Sequence, residues 1–249
     1  MIIDPQILEA KIAELLDNFY NRRLSVINDL NLGKALSRKN PYLFRAVGVE
    51  SAQEIVEQLL SAYMSSSDEG IFGDAFFEPL AKFASGGVVS PSEGVDIAIE
   101  TDTKYTAIAV KSGTSVFNAD SKKRQVQNFE ALEARLKKLQ KHFDPLIGYC
   151  YGRKRATKES KIRQLAGQAF WAEITGDDDF YLKIIRLMKD KPRQHLEEYK
   201  SAWDKAVNRF TRQFLNDFCN EDGSINWEKL TEFNSKDYPQ KKSKSQKRK

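Results

Sequence analysis

Soft metal ligands are nearly absent from this chain, which holds only two cysteines and two histidines. Cys150 and Cys219 lie far apart without metal-type spacing, and this argues against a zinc site. Long apolar runs are missing as well, none approaching the ~20 residues that span a bilayer. The opening Met1-Ile-Ile-Asp-Pro5 leads toward a helix without the pattern of a signal peptide. The expectation is a cytoplasmic protein with both thiols buried and reduced. No internal repeat is visible, so a solenoid is not expected.

What is present is charge: 30% of residues are charged and 41% hydrophobic over 249 residues. That length suffices for one full core with a helical appendage. The net charge of +5 misleads, because Pro239–Lys249 carries six Lys/Arg and no acid, leaving 5 − 6 = −1 for the rest. A nucleic-acid surface must therefore come from local basic clusters and the tail. The tail composition predicts disorder. The expected organisation is an N-terminal helical region over 1–65, a core over 66–165, a C-terminal helical region over 166–238, and a basic tail over 239–249.

Along the chain, 5–30 reads as a helix with Ile7, Leu8, Ile12, Leu15, Leu16 and Phe19 at helical spacing. Asn40-Pro41 breaks the pattern. A helix follows from about Ser51, with Glu54 completing a capping box, and exits near Met64–Asp68. In Gly70–Ser85, Phe72, Phe76, Leu80 and Phe83 share a face, with Glu78 roughly opposite and Pro79 predicting a kink or fresh helix start. A basic helix spans about Asp120–His142, with Phe129, Leu132, Leu136, Leu139 and Phe143 turned inward and Gln125 in the middle of that apolar stripe. Leu146–Tyr151 reads as a central strand, leading into Gly152-Arg153-Lys154-Arg155 and then Lys158, Lys161 and Arg163. Helices follow at about 165–174, 178–190 and 194–219, the last with Leu196, Tyr199, Trp203, Val207, Phe210 and Phe214 as its stripe. Asn226 can cap a short final helix.

Chemistry concentrates in a hairpin, Val95–Glu100 and Tyr105–Ser112. Alternation puts Val95, Ile97, Ile99, Thr106, Ile108 and Val110 on one face. The other face carries Asp96, Glu100 and Lys111 among small alanines. Hydrolysing a phosphodiester needs a divalent metal on hard oxygen ligands and a group beside the attacking water. Asp96 fits the metal, the Val110 carbonyl can add an oxygen, and Lys111 fits the water and the transition state. By pattern alone an ordinary cross-strand ion pair would look the same. The Arg153–Arg163 run reads either as a solvated loop or as a grip on DNA phosphates.

The stretches Glu69-Gly-Ile-Phe-Gly-Asp74, Gly94-Val-Asp-Ile-Ala-Ile-Glu100, Val110-Lys-Ser-Gly113, Asn118, Gln127-Asn-Phe129, Cys150-Tyr-Gly-Arg153, Gly167-Gln-Ala-Phe-Trp171, Asn226-Trp-Glu-Lys-Leu230 and Phe233-Asn-Ser235 carry a resemblance. The chain resembles the PD-(D/E)XK nucleases and, more narrowly, the PmeII-like type II restriction endonucleases, from about residue 65 onward. That resemblance implies an α/β fold: a restriction-endonuclease-like mixed sheet of four or five strands flanked by helices, with a helical C-terminal half. It implies Mg²⁺-dependent cleavage of specific double-stranded DNA by a homodimer, with Mn²⁺ able to substitute. Lys122, Lys123, Arg124, Arg153, Lys154 and Arg155 are the candidate DNA-contacting residues.

Two positions depart from the pattern: Ala109 stands where the motif has an acid, and Val95 where it has proline. Glu78 is the first candidate to supply the missing carboxylate. Glu100 lies about 13 Å along the strand from Asp96 at ~3.3 Å per residue, too far to share a metal. Glu69, Glu130 and Glu133 are further choices, and Gln125 fits a polar supporting role. The competing readings are a DNA-binding protein of nuclease ancestry that no longer cuts, and a repair nuclease without sequence specificity.

Overall fold

The computed structural model describes residues 3–90, 92–154 and 161–237. The predicted tail at 239–249, together with Arg155 and Lys158, lies outside them. Close contacts divide the chain into two units, one formed by residues up to 25 with 66–199, the other by 26–65 with residues from 200 onward.

The first unit is built on a five-stranded sheet in chain order, β1 (Val88–Val89), β2 (Ile97–Glu100), β3 (Lys104–Lys111), β4 (His142–Tyr149) and β5 (Arg163–Ala166). β1, β2 and β3 pair antiparallel; β4 and β5 add in parallel. The mixed α/β fold is as the sequence led us to expect. β4 lies between two neighbours, which accounts for its apolar end.

Both faces of the sheet are buried. On one, Ile97, Ile108, Val110 and Leu146 pack with Leu8, Ile12, Leu15 and Leu16 of α1 (Pro5–Asp29), with α5 (Glu78–Ser85), α7 (Gln168–Thr175) and α8 (Phe180–Leu187). On the other, Ala98, Ala107, Ala109, Ile147 and Tyr149 lie under Phe129 and Leu132 of α6 (Ala119–Leu136). The alanine face is thus covered; its small side chains let a helix approach. Ile7 was expected inside and is 58% exposed, as Leu196 is at 61%.

Boundaries moved where side chains beyond the local pattern decide. After the short α2 (Leu32–Leu36), Asn40 does not merely break a helix; its carboxamide oxygen caps α3 (Pro41–Ala46) by accepting from Tyr42 and Leu43 N–H at 3.0 and 3.3 Å. α4 (Ala52–Phe72) runs on past the expected exit at Met64–Asp68, with Asp68 held by Arg23 at 2.9 Å from both carboxylate oxygens. A π turn, Gly73–Phe77, then leads into α5, which starts at Glu78 with Pro79 in its first turn. α6 stops earlier than expected, a 3₁₀ turn intervenes, and Gln140 at φ 53° releases the chain into β4. β1 and β5 were not foreseen.

The second unit is helical and buries Ile55, Val56, Leu59, Leu60, Phe210, Phe214 and Leu230. α9 (Lys191–Phe218) and α10 (Trp227–Ser235) match the expected helices, with Asn226 capping the latter through Lys229 N–H at 2.9 Å. No helix among the described residues is long and apolar enough to cross a membrane.

Candidate active site

The site lies where β3 ends, and a break in strand alternation makes it. Asp96 N–H donates to the Ile108 carbonyl at 2.9 Å, yet Ile108 pairs in register with Ile97. Two residues facing one is the arrangement of a β-bulge, which re-aims side chains and recurs beside active sites. Its effect is visible on Val95, which packs in the α6-side core with Ala98 rather than with Ile97. Strict alternation had put Asp96 beside Glu100; the bulge removes it from that series. The Asp96 carboxylate instead accepts the Val110 N–H at 2.7 Å and pairs with the Lys111 ammonium at 3.6 Å. Both contacts use Oδ2, so Oδ1 takes part in neither. Lys111 carbonyl accepts from Cys150 N–H at 2.8 Å. Because successive carbonyls of a strand point to opposite sides, that of Val110 faces the Asp96 side.

Glu78 arrives from the other element. Half-buried at the start of α5, it has its carboxyl pushed up, first by burial, then by the negative charges of Asp96 and Asp74, while Lys111 opposes them. Lys111, Asp96 and Glu78 all act on Cys150, whose thiol burial pushes far up, leaving it protonated and inert. Asp96 and Lys111 are thus in contact, and Glu78 lies within electrostatic reach of both. Asp74, four residues before Glu78, joins them from within a stretch already singled out, although no role was read for it.

Gln125 is 5% exposed and donates through Nε2 to the Gly94 carbonyl at 2.6 Å. Gly94 has φ +70°, where a side chain is strained, and a Cβ there would strike the Asn128 carboxamide. Gln125 thus pins the loop entering Asp96 rather than reaching the carboxylates. Asn118 caps α6, exchanging hydrogen bonds with Ser121 at 2.8 and 3.0 Å.

The other acids are engaged elsewhere. Glu100 pairs with Lys141 at 2.6 Å, Glu69 accepts from the Tyr151 hydroxyl at 3.2 Å, and Glu130 and Glu133 are exposed on α6. Among the basic candidates, Lys122, Lys123 and Arg124 are exposed on the first turns of α6 and Arg153 after β4. Lys154 donates to the Tyr149 hydroxyl at 3.1 Å and lies over its ring. Arg155 is outside the described residues. Arg163 is not a free cation: it grips Asp144 at 2.7 and 2.6 Å and Glu173 at 2.8 Å.

Among the described residues no three acidic, histidine or cysteine side chains form a ready-made metal cage. Two carboxylates and a strand carbonyl still suit a small hard cation that keeps several waters and shares its shell with substrate phosphate.

A search of curated proteins finds no match to this chain. The family model of type II restriction endonuclease EcoO109I matches residues 6–195, a span beginning well before residue 65 and ending before the Asn226 stretch. The chain belongs to the EcoO109I family of type II restriction endonucleases.

Proposed function

We propose that the protein is a site-specific deoxyribonuclease that hydrolyses phosphodiester bonds in double-stranded DNA with Mg²⁺, working as a cytoplasmic homodimer within a restriction-modification system. The carrying observation is the convergence of Asp96, Lys111 and Glu78 at the end of β3. In this reading the core is of the PD-(D/E)XK type with Glu78 standing in for the acid absent at Ala109, and the narrower kinship is PmeII-like.

Asp96, Glu78 and the Val110 carbonyl would hold the metal. When bound, Mg²⁺ or Mn²⁺ supplies Lewis-acid stabilisation of the charge that develops on phosphate oxygens. Lys111 would orient the attacking water and place its ammonium against that same charge. The Val110 N–H fixes one Asp96 oxygen, leaving the other directed by the bulge. Gln125 holds the Gly94 loop, and with it Asp96, in place. Lys122, Lys123, Arg124, Arg153, Lys154 and Arg155 would grip phosphates, which orients the duplex without reading its sequence.

The test is a Mg²⁺ digest of unmethylated DNAs of varied sequence, with the ends sequenced. Cuts at discrete sites, lost in Asp96→Ala and Lys111→Ala, are expected. Binding without cutting would favour the nuclease-derived DNA-binding protein, and cuts without a common sequence the repair nuclease.

A further inference from the structure

The π turn at Gly73–Phe77 immediately precedes Glu78 and packs against β3. Such turns interrupt the regular helical ladder and are found disproportionately at functional sites. Gly73 opens this one. Its φ is outside the left-handed region, so its backbone conformation does not demand glycine. Helix propensity alone would favour alanine there. What glycine supplies is room. A Cβ on Gly73 would collide with Ser112 Oγ, so the hydroxyl would have to turn aside or the turn draw back, and the next nearest atom is Ser112 Cβ at 3.8 Å. Gly70, one turn earlier in α4, is the contrast: a Cβ there meets nothing within 4 Å. Ser112 directly follows Lys111, so this one close approach joins the turn that presents Glu78 to the strand end that presents Lys111.

We infer that Gly73 is a positioning residue for the site: seating the π turn on Ser112, it sets Glu78 against Asp96 and Lys111 so that both carboxylates reach one metal ion. The inference rests on the metal-binding role proposed for Glu78. It deepens that role by tracing it to a side chain that is missing.

The test measures Mn²⁺ binding to the full chain without DNA, from loss of the free-ion paramagnetic resonance signal. Gly73→Ala should weaken Mn²⁺ binding by about tenfold or more, as loss of a group orienting metal ligands does. Gly70→Ala and Ser112→Ala should bind as the unmodified protein does. The double variant Gly73→Ala/Ser112→Ala, which removes the colliding oxygen, should recover the affinity. Unchanged Mn²⁺ binding in Gly73→Ala overturns the inference, as does a double variant that stays weak. If Gly73→Ala alone fails to fold, comparing the double variant with Ser112→Ala decides the matter: equal affinity supports the inference and a deficit overturns it. Should the unmodified protein bind Mn²⁺ no better than Asp96→Ala, the metal role of Asp96 and Glu78 fails first, and this inference falls with it.

Discussion

The sheet carries two carboxylate clusters, one at each end of β3, and they are built on opposite principles. At the start of β3, Asp144 is 7% exposed by side chain and takes Lys104 at 2.6 Å and Arg163 at 2.6 Å, with Thr106 at 3.4 Å. Burial works against its charge, but the hydrogen bonds from Arg163 and Lys104 outweigh it and hold the carboxyl below its usual value. At the end of β3, about 17 Å away at ~3.3 Å per residue from Thr106 to Lys111, Asp96 meets a single ammonium at 3.6 Å and has Glu78 as a like-charged neighbour. One cluster is neutralised and the other is not. Charge left unsatisfied in a folded protein costs stability, and such costs gather at functional sites.

The contrast can be broken at its functional end first. Lys111→Ala and Asp96→Ala should each lower Mg²⁺-dependent DNA cleavage by about a thousandfold or more, as loss of a group aimed at transition-state charge does. Melting temperature should barely move, and cleavage assays beside thermal melts check both halves.

The structural end should respond the other way. Asp144→Ala leaves Lys104 and Arg163 without their buried partner and should cost about 2–3 kcal/mol, below the full penalty for buried pairs because both cations are part-exposed. Chemical denaturation measures it. The pH dependence has a definite sign: a carboxyl held low in the folded state stabilises fully above the ordinary aspartate range near 4, and that contribution drains as pH falls toward the folded value. Acid unfolding should therefore begin at higher pH in Asp144→Ala than in the unmodified protein.

Glu78→Gln sharpens the comparison because its effect on stability should have the opposite sign. A carboxyl raised in the folded state opposes folding once it ionises, so the amide should raise the metal-free melting temperature at pH 7 by roughly 1–2 °C, while Mn²⁺ affinity falls. A lower melting temperature would place Glu78 with Asp144 as a structural acid. The smallest effect should come from Glu100→Gln. Its pair with Lys141 is half-exposed and worth less than ~0.5 kcal/mol, and cleavage should be unchanged.

The candidate residues stood out in the sequence, but the local geometry that places Asp96 beside Lys111 did not. Asp96 and Lys111 stood out as charges on a hairpin, and Glu78 as an acid after a run of phenylalanines. Period-two counting grouped Asp96 with Lys111, which it does meet, but also with Glu100, because a bulge adds a residue that no single-strand pattern signals. The long helices and the Asn226 cap were readable from local periodicity and side-chain chemistry. β5 was hidden because Arg163 read as part of a basic run, whereas its partner is Asp144, nineteen positions earlier. The continuation of α4 was hidden in the same way, since Met64–Asp68 reads as an exit until Arg23 is placed beside Asp68. Local signals yielded elements; partners distant in sequence fixed where they ended.

The π turn has one more consequence, which is a matter of phase. Each residue of a helix turns the chain by about 100°. An inserted or lost residue between Phe72 and Glu78 would therefore turn the acid, with the rest of α5, by about 100° relative to α4 while shifting it along the axis by only ~1.5 Å. Relatives of this chain could exchange which acid faces the strand end by changing length there instead of changing residues. A one-residue indel in that turn would then be as consequential for the site as a substitution at Asp96.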